Sequence, residues 1–275
     1  MNSIYSLVAL DIDGTMIGED RIVSDDLIRT IAKVQATGAV VSVSTGRTLR
    51  PALRIAVEAG ASGPVICFQG AMTYDQETQR ASRHERLGEN VTKQAIEGLT
   101  AVVPEVMMFL GNDVWVEKRS EWTDGYGQRM GVDIRDTDSL LGMADQQPTA
   151  IVGVGEPDVV GPLVDKLHQR LSGSALVTHS LPMFCEVEAI GAGKDLAVEH
   201  LANSLGIARD RVIAIGDGKG DQSMIEWAGL GVAVAGGHPD AIRSADEIID
   251  IPEKSGLVKF LEKLLYEGQF CAPDS

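Results

Sequence analysis

Short runs of aliphatic residues alternate along most of the chain with segments whose apolar side chains recur every three or four positions. The segments predict amphipathic helices, such as the one that Ser24 can cap, with Leu27, Ile31 and Val34 on its buried face. The apolar runs predict buried strands at residues 6–12, 39–45, 64–68, 211–217, 231–237 and 247–251. Strands of this kind, separated by helices, are typical of a parallel sheet covered on both faces. We therefore predict an α/β fold with a doubly wound, Rossmann-like parallel sheet.

The middle of the chain has a different pattern. The stretch "EVMMFLGNDVWVEKR" predicts a β-hairpin that turns at Asn112 and Asp113. Further strands are predicted at 148–155, 175–180 and 183–190, with a helix at 159–171. Residues 82–188 are thus predicted to form a mixed α+β insertion, and residues 1–81 and 189–275 together form the parallel domain that it interrupts.

Charge and composition narrow the possible partners. The 24 basic and 40 acidic residues give a net charge of −16, which repels nucleic-acid backbones and anionic membranes. Aromatic residues make up only 4%, so stacking platforms for nucleic-acid bases are not expected either. The predicted partner is a small molecule. A small anionic substrate would need a local cation or a metal ion.

Cysteine usage and the N-terminus indicate a compartment. Cys67, Cys185 and Cys271 are widely spaced and fit neither a zinc site nor a paired disulfide framework. The first residues lack a basic leader, and no apolar run approaches the roughly 20 residues of a membrane span. These features predict a cytoplasmic location and no membrane association.

Polar residues follow the first two predicted strands. Asp11 and Asp13 end one in "LDIDGT", and Thr45 and Gly46 end the other in "VSTGRT". Because ligands bind at the edge where the carboxyl ends of parallel strands meet, we expect these residues to lie together. Simpler interpretations remain open, since Asp-Gly is common in Asx turns and a threonine after a strand can cap the next helix.

Two more candidates lie near the C-terminus. Lys194 begins a predicted helix in "GAGKDL", where the helix dipole disfavours a cation, so a nearby anion is expected, although a lone lysine is usually solvated. In "VIAIGDGKGD", Asp217 ends a strand and could bind a metal ion, while Asp221 begins a helix, predicted at 221–231, and could cap it. Lys219, between them, is interpreted as a solvated loop residue.

The motifs in this order resemble those of the haloacid dehalogenase (HAD) superfamily of phosphohydrolases. They are "DIDGT" at 11–15, "STGR" at 44–47, "GAGK" ending at Lys194, and "GDGKGD" at 216–221. The insertion between the second and third motifs is similar to the class-two, subtype-B cap of Cof-type sugar phosphatases. The resemblance implies a HAD-like catalytic core at 1–81 and 189–275, with a cap domain at 82–188.

The resemblance also implies roles for the core residues. Asp11 would be the nucleophile that accepts the phosphoryl group, and Asp13 would be the general acid and base. Thr45 and Lys194, together with backbone amides near Ile12 and Gly46, would bind the phosphoryl oxygens.

A metal site and two substrate contacts follow from the same resemblance. Mg²⁺ would bind the Asp11 carboxylate, the Asp13 carbonyl oxygen and Asp217, with Asp221 behind these ligands. Two further side chains could contact the substrate: Arg47, after the second motif, and Gln69.

The sequence departs from the superfamily at two positions. Gly220 stands where these proteins usually have asparagine, which removes an amide side chain from the metal-binding motif. Gln69-Gly70 stands where they usually have Asn-Gly, which moves an amide one carbon further from the backbone. We expect altered metal affinity and shifted substrate contacts, with the chemistry retained.

Substrate specificity is expected to lie in the cap, although its candidate residues are also typical of a solvated surface. They are Glu117, Lys118, Arg119, His179 and Glu186, while Trp115 and Trp122 are expected in its core. The predicted function is a Mg²⁺-dependent phosphatase for a small phosphorylated metabolite such as a sugar phosphate. Three alternatives remain: a phosphomutase, a response-regulator-like phosphoacceptor and a non-catalytic binding module. Asp13 favours the phosphatase over the phosphoacceptor. The sequence predicts neither the substrate nor the oligomeric state.

Overall fold

The computed structural model describes residues 4–179 and 181–273. Its contacts divide the chain into two compact units, Met1–Arg83 with Gly193–Ser275, and His84–Ala192. The boundaries between the two units lie between Arg83 and His84 and between Ala192 and Gly193. They are two and four residues beyond the predicted domain boundaries.

Both units contain strands and helices. The strands are β1 (Leu7–Leu10), β2 (Val40–Ser44), β3 (Val65–Cys67), β4 (Met72–Asp75), β5 (Arg80–His84), β6 (Glu105–Leu110), β7 (Asp113–Val116), β8 (Asp133–Asp136), β9 (Ala150–Val154), β10 (Ala175–Thr178), β11 (Phe184–Ala189), β12 (Val212–Gly216), β13 (Leu230–Val234) and β14 (Glu247–Ile249). The helices are α1 (Asp25–Ala36), α2 (Leu49–Ala59), α3 (Glu89–Thr100), α4 (Glu121–Met130), α5 (Pro157–Arg170), α6 (Lys194–Ser204), α7 (Gln222–Trp227), α8 (Pro239–Ser244) and α9 (Gly256–Tyr266).

The first unit is built on an eight-stranded sheet with the order β14-β13-β12-β1-β2-β3-β4-β5. From β14 to β3 the neighbouring strands are parallel, whereas β4 pairs antiparallel with β3. The chain runs outward from β1 in one direction through β2 and β3, and in the other through β12, β13 and β14. The strand order therefore reverses between β1 and β12, which confirms the predicted doubly wound parallel core.

Both faces of this sheet are covered. Leu7 and Ala9 join β12, α6 and α7 in one apolar cluster. Val8 and Leu10 alternate with them and are equally buried, as expected for a central strand between two helical layers. The predicted cap of α1 is confirmed, because the Ser24 hydroxyl accepts a hydrogen bond from the Leu27 N–H at 3.2 Å.

The second unit contains a six-stranded sheet with the order β10-β11-β9-β6-β7-β8. Its pairs are antiparallel except for β7 with β8. Helices α3 and α5 cover one face with a continuous apolar cluster. On the opposite face Trp122 of α4 stacks on Tyr126 at 5.7 Å and meets the edge of Phe184 at 6.1 Å. Trp115 is partly buried against the cluster under α3 and α5.

Three predicted element boundaries were wrong. Leu110 pairs directly with Asp113, so the hairpin turns at Gly111 and Asn112, where Gly111 takes a φ of 63° that favours glycine. The helix predicted at 221–231 ends at Trp227, because Leu230 already pairs with Ile213 in the parallel ladder. Helix α5 begins before residue 159, at Pro157, since proline suits the first turn of a helix. Ser180, the last residue of the predicted strand 175–180, lies outside the described residues.

Within residues 4–179 and 181–273, none of the helices combines the length and the apolar character needed to cross a bilayer.

Glu188 is a buried acid in the second unit. It lies on β11, and its side chain alternates with Val187 and so faces away from the cluster under α3 and α5. Within the described part of the chain its Oε2 atom has no hydrogen-bond partner, and the residue is only 4% exposed. Burial, reinforced by the charge of Glu186, raises the pKa of Glu188 well above its usual value.

We predict that Glu188→Gln removes a pH-dependent loss of stability. Because the folded-state pKa of Glu188 is raised, the protonated form contributes its full stability below the unfolded-state pKa. This contribution is lost as the pH rises toward the folded-state pKa. Above pH 5, wild type should therefore lose up to about 1.4 kcal/mol per pH unit relative to the variant until Glu188 ionises. Urea unfolding of both proteins between pH 5 and pH 8 measures this difference. Parallel stability curves would contradict the assignment.

Candidate active site

The predicted site residues of the core meet at the carboxyl edge of the parallel sheet. Asp11 follows β1 and Asp217 follows β12, on the two strands between which the order reverses. Thr45 directly follows β2, and Lys194 is the first residue of α6. The strand ends place these side chains together because ligands in open α/β sheets bind at this reversal point.

A buried lysine joins two of the aspartates. Lys194 Nζ donates to Asp11 Oδ1 at 2.7 Å and to Asp221 Oδ1 at 2.5 Å. Lys194 is 4% exposed, Asp11 6% and Asp221 2%, so water screens this ion group very little. The anion expected beside Lys194 is thus provided by the protein's own carboxylates.

The charges in this group do not balance. Burial, then repulsion from Asp221, raises the pKa of Asp11 well above its usual value, although Lys194 acts in the opposite direction. Burial alone would lower the pKa of Lys194, but the charges and hydrogen bonds of Asp11 and Asp221 outweigh it and raise that pKa. The raised pKa favours the charged form of Lys194, a single cation that faces the two carboxyl groups of Asp11 and Asp221.

Asp217 lies beside this group and is less deeply buried. Burial and repulsion from Asp221 raise its pKa to about 6, while a hydrogen bond from the Thr15 hydroxyl at 3.0 Å acts against them. Thr15 belongs to the first motif but had no predicted role. Its bond to Asp217 links the ends of β1 and β12.

Three of the acids could hold a divalent cation. Asp11, Asp217 and Asp221 each offer a carboxylate oxygen, and these oxygens all lie within 4.8 Å of one another. Oxygen donors and an excess of negative charge over the single Lys194 suit a hard cation such as Mg²⁺. The residues therefore fit the predicted metal. Asp221 belongs to this carboxylate set, although it was predicted to stand behind the ligands.

The Asp13 carboxylate contacts a different side chain from the one that the Asp11 carboxylate contacts. Two residues apart on an extended chain, both carboxylates would face the same way, but the chain turns at Gly14, whose φ is 81°. Arg47 binds the Asp13 carboxylate through both oxygens, Nε to Oδ2 at 2.8 Å and Nη2 to Oδ1 at 2.6 Å. The Asp13 side chain is 58% exposed, so it lies at the mouth of the site while Asp11 lies at its base.

Backbone and hydroxyl donors lie just beyond the ends of β1 and β2. The Thr45 hydroxyl accepts from the Arg47 N–H at 3.2 Å, which leaves its own proton to donate. The N–H groups of Ile12 and Gly46 have no acceptor among residues 4–179 and 181–273. These groups are the predicted phosphate donors, and the geometry leaves them available for an anion.

Asp221 does not cap α7 as predicted. Its Oδ2 accepts from the backbone N–H groups of Asp217 and Gly218 at 3.1 and 2.8 Å, and its Oδ1 accepts from Lys194. The loop after β12 curls around this carboxylate, so Asp221 fixes both the loop and the lysine. Lys219 is exposed, as predicted.

The remaining predicted contacts are distributed over both units. Gln69 is half-buried after β3 in the first unit. In the second unit Glu117 accepts from the Leu140 N–H, and Arg119 pairs with Asp124. Lys118 and His179 are exposed, and Glu186 is half-buried. Glu188 was missed, because a lone glutamate in an alternating strand gives no signal of burial.

The chain is similar in sequence to known phosphatases. A family model described as haloacid dehalogenase-like hydrolase matches residues 8–261. The phosphoglycolate phosphatase of Methanopyrus kandleri is 30% identical, over 95% of this chain and 98% of its own length. The 5-amino-6-(5-phospho-D-ribitylamino)uracil phosphatase YitU of Bacillus subtilis is 26% identical, over 94% and 96%.

Solved structures share the fold over most of the chain. A haloacid dehalogenase-like hydrolase from Bacteroides thetaiotaomicron superimposes with a TM-score of 0.86 at 25% identity, over 94% of this chain and 99% of that one. The HAD subclass IIB sugar phosphatase BT4131 superimposes with a TM-score of 0.81 over 94% and 98%. Its identity of 17% supports the fold alone.

Proposed function

Because the chain belongs to the haloacid dehalogenase-like hydrolases, we propose that it hydrolyses a small phosphorylated metabolite with Mg²⁺ through a phosphoryl group carried on Asp11. The predicted superfamily and the predicted class, a phosphoric monoester hydrolase, are confirmed. We further propose that the two compact units are a catalytic core and a cap domain, with substrate specificity in the cap.

One observation carries the proposed mechanism. The Asp11 carboxylate is buried against Lys194, and the donors of Thr45, Ile12 and Gly46 lie around the same strand ends with capacity to bind an anion. A phosphoryl group held by these donors would meet Asp11 directly. Donors fixed by the fold before the substrate arrives need no rearrangement as charge develops.

The chemistry would proceed in two displacements at phosphorus. An Asp11 oxygen forms a bond to phosphorus while the bond to the leaving oxygen breaks, and protonated Asp13 gives its proton to that oxygen. Asp13, now a carboxylate, takes a proton from water, whose oxygen attacks phosphorus and releases Asp11 and inorganic phosphate. Arg47 holds both Asp13 oxygens at rest, so Asp13 must leave it before taking part.

The metal ion and the lysine would both stabilise negative charge on the phosphoryl group. Mg²⁺, held by Asp11 and Asp217 with the Asp13 carbonyl and with Asp221 nearby, would supply positive charge that neutralises the phosphoryl oxygens. Lys194 adds a fixed cation and holds the Asp11 carboxylate in place. Together they would let a protein of net charge −16 bind an anion.

The relatives suggest a class of substrate. The relatives are named as phosphatases of phosphoglycolate and of a phosphorylated ribitylamino uracil, both of which are phosphomonoesters. We propose that the substrate is likewise a small phosphomonoester, such as a sugar or polyol phosphate. A phosphomutase would return the phosphoryl group to another hydroxyl and so release no phosphate.

A phosphate-release screen tests the proposed function. Purified protein with Mg²⁺ is offered phosphorylated sugars, polyols, nucleotides and cofactors. We expect release from a subset of small phosphomonoesters, loss on chelation and recovery when Mg²⁺ is restored. Transfer of the phosphoryl group between hydroxyls without release would establish the phosphomutase instead. Absence of both activities across the panel would refute the proposal.

Asp13→Asn should slow turnover strongly while preserving substrate binding. Loss of a general acid and base lowers kcat by about 10²–10⁴-fold. KM should change much less, because Asp13 is proposed to act on protons and its carboxylate is no phosphate ligand. Steady-state kinetics on the best substrate from the screen measures both constants. A variant with near wild-type kcat would exclude Asp13 from proton transfer.

A further inference from the structure

The turn after β3 has an unusual backbone. Phe68 and Gln69 both take positive φ values, 51° and 49°, which L-residues adopt only at a free-energy cost. Backbone hydrogen bonds hold them there: Phe68 N–H donates to Arg47 O at 2.9 Å, and Gln69 N–H donates to Thr45 O at 3.2 Å. Strain of this kind persists where the surroundings fix it, and it clusters at functional sites.

The turn places the Gln69 carboxamide between two glycines of the site. A Cβ added to Gly46 would collide with Nε2 and lie 2.8 Å from Cδ. A Cβ added to Gly220 would lie 3.0 Å from Oε1. The carboxamide thus fills the gap between the loop after β2 and the loop after β12. A side chain at position 220 and the Gln69 carboxamide compete for the same space.

The two ends of the amide face different parts of the site. Nε2 is the end nearer Gly46, beside the free donors of Thr45 and Gly46. Oε1 is the end nearer Gly220, next to the loop of Asp217 and Asp221. Among the residues that the structure describes, the Gln69 side chain has no hydrogen-bond partner, and it is only half-buried. Its donors and acceptor are therefore available to a ligand.

We propose that Gln69 is a phosphate-contacting and positioning residue that couples phosphate binding to Mg²⁺ binding. Nε2 donates to an oxygen of the bound phosphoryl group, and Oε1 faces the acidic loop that would hold the cation. Glycine at 220 is what makes room for this arrangement. The two departures from the superfamily are then linked, because the longer amide side chain at position 69 occupies space that glycine leaves open at position 220. This inference rests on the proposed function, since it assigns Gln69 to the same phosphate and metal site.

Calorimetric titration of inorganic phosphate, with and without Mg²⁺, tests the coupling. In wild type we expect Mg²⁺ to strengthen phosphate binding by roughly 5–150-fold, and phosphate to strengthen Mg²⁺ binding by the same factor. Gln69→Leu removes the polar atoms and leaves an apolar side chain that is one heavy atom smaller. It should reduce this coupling factor several-fold, whereas a residue of purely structural importance would weaken both affinities and leave the coupling unchanged.

A second variant, Gly220→Ala, is expected to weaken the same coupling between phosphate and Mg²⁺ binding. The added methyl group would lie 3.0 Å from Oε1 and must shift the carboxamide by a few tenths of an ångström, so this variant should lose part of the coupling that Gln69→Leu loses. The double variant should lose no more than Gln69→Leu alone, because Gly220→Ala acts only through the Gln69 carboxamide. Gly161→Ala is the control, since a Cβ at Gly161, within α5, meets nothing within 4 Å. Its coupling should equal that of wild type.

The outcomes separate this inference from the proposed function. Unchanged coupling in Gln69→Leu, or additive losses in the double variant, would overturn the inference while wild-type hydrolysis of a phosphomonoester leaves the proposed function intact. A wild-type protein that binds no phosphate in the presence of Mg²⁺ and releases none from any phosphomonoester would overturn both.

Discussion

Replacement of Asp11 by asparagine is expected to lower kcat for phosphate release by about 10⁴-fold or more, the scale on which enzymes lose activity with their covalent nucleophile. The asparagine amide has the same shape as the carboxylate and can still accept the hydrogen bond from Lys194, but it cannot attack phosphorus. The loss should therefore appear in kcat on every substrate that the wild-type protein hydrolyses.

The same variant should remain folded. Burial and repulsion from Asp221 raise the pKa of Asp11, so a neutral side chain at this position relieves unfavourable charge. Thermal unfolding should show a Tm at or above that of wild type. Asp25→Asn, at an exposed position in the first turn of α1, is the control and should retain full activity. Substantial turnover by Asp11→Asn would exclude Asp11 as the nucleophile.

Lys194→Met should have the largest effect on stability. The change leaves Asp11 and Asp221 buried without their cation, and removing one partner of a buried ion group costs about 3–5 kcal/mol. Lys194 acts to lower the pKa of Asp11, so without it the folded-state pKa of that carboxyl rises further, and this cost should be smaller at pH 5 than at pH 8. Activity should fall as well, since Lys194 is a proposed phosphate ligand.

Lys219→Met is the matched control for this experiment. Lys219 lies in the loop after β12, two residues from Asp217, but it is exposed and should change the free energy of unfolding by less than about 0.5 kcal/mol. Urea unfolding followed by circular dichroism compares the two variants with wild type. Equal stabilities for the two variants would show that the ion group contributes nothing to the fold.

The sheet and the residues at its edge could be predicted from sequence because both depend on local pattern. Apolar runs such as 6–12 and 211–217 define strands, and parallel strands bring their carboxyl ends together. Asp11, Thr45, Lys194 and Asp217 could therefore be assigned to one site before any distance was known. Element ends were less predictable, since α7 stops at Trp227 where strand pairing takes over.

The partners of individual side chains could not be predicted, because they depend on how the loops meet in space. Asp13 pairs with Arg47, which is distant in sequence, and the turn at Gly14 gives no sign of that partner. Asp221 was a reasonable helix cap by position, yet its carboxylate binds the loop before the helix. The approach of Gln69 to Gly220 joins two positions that the sequence presents as separate departures.

The central claim is that Asp11 carries the phosphoryl group, and the most direct test is to locate that group. Asp13→Asn should form the aspartyl phosphate and hydrolyse it slowly, because the base that activates water is missing. The variant is mixed with a substrate of the wild-type protein, quenched in acid, digested and analysed by mass spectrometry. We predict phosphate on the peptide containing Asp11, and none on that peptide from Asp11→Asn. Phosphate on another residue, or phosphate release with no modified peptide at any time, would contradict the account.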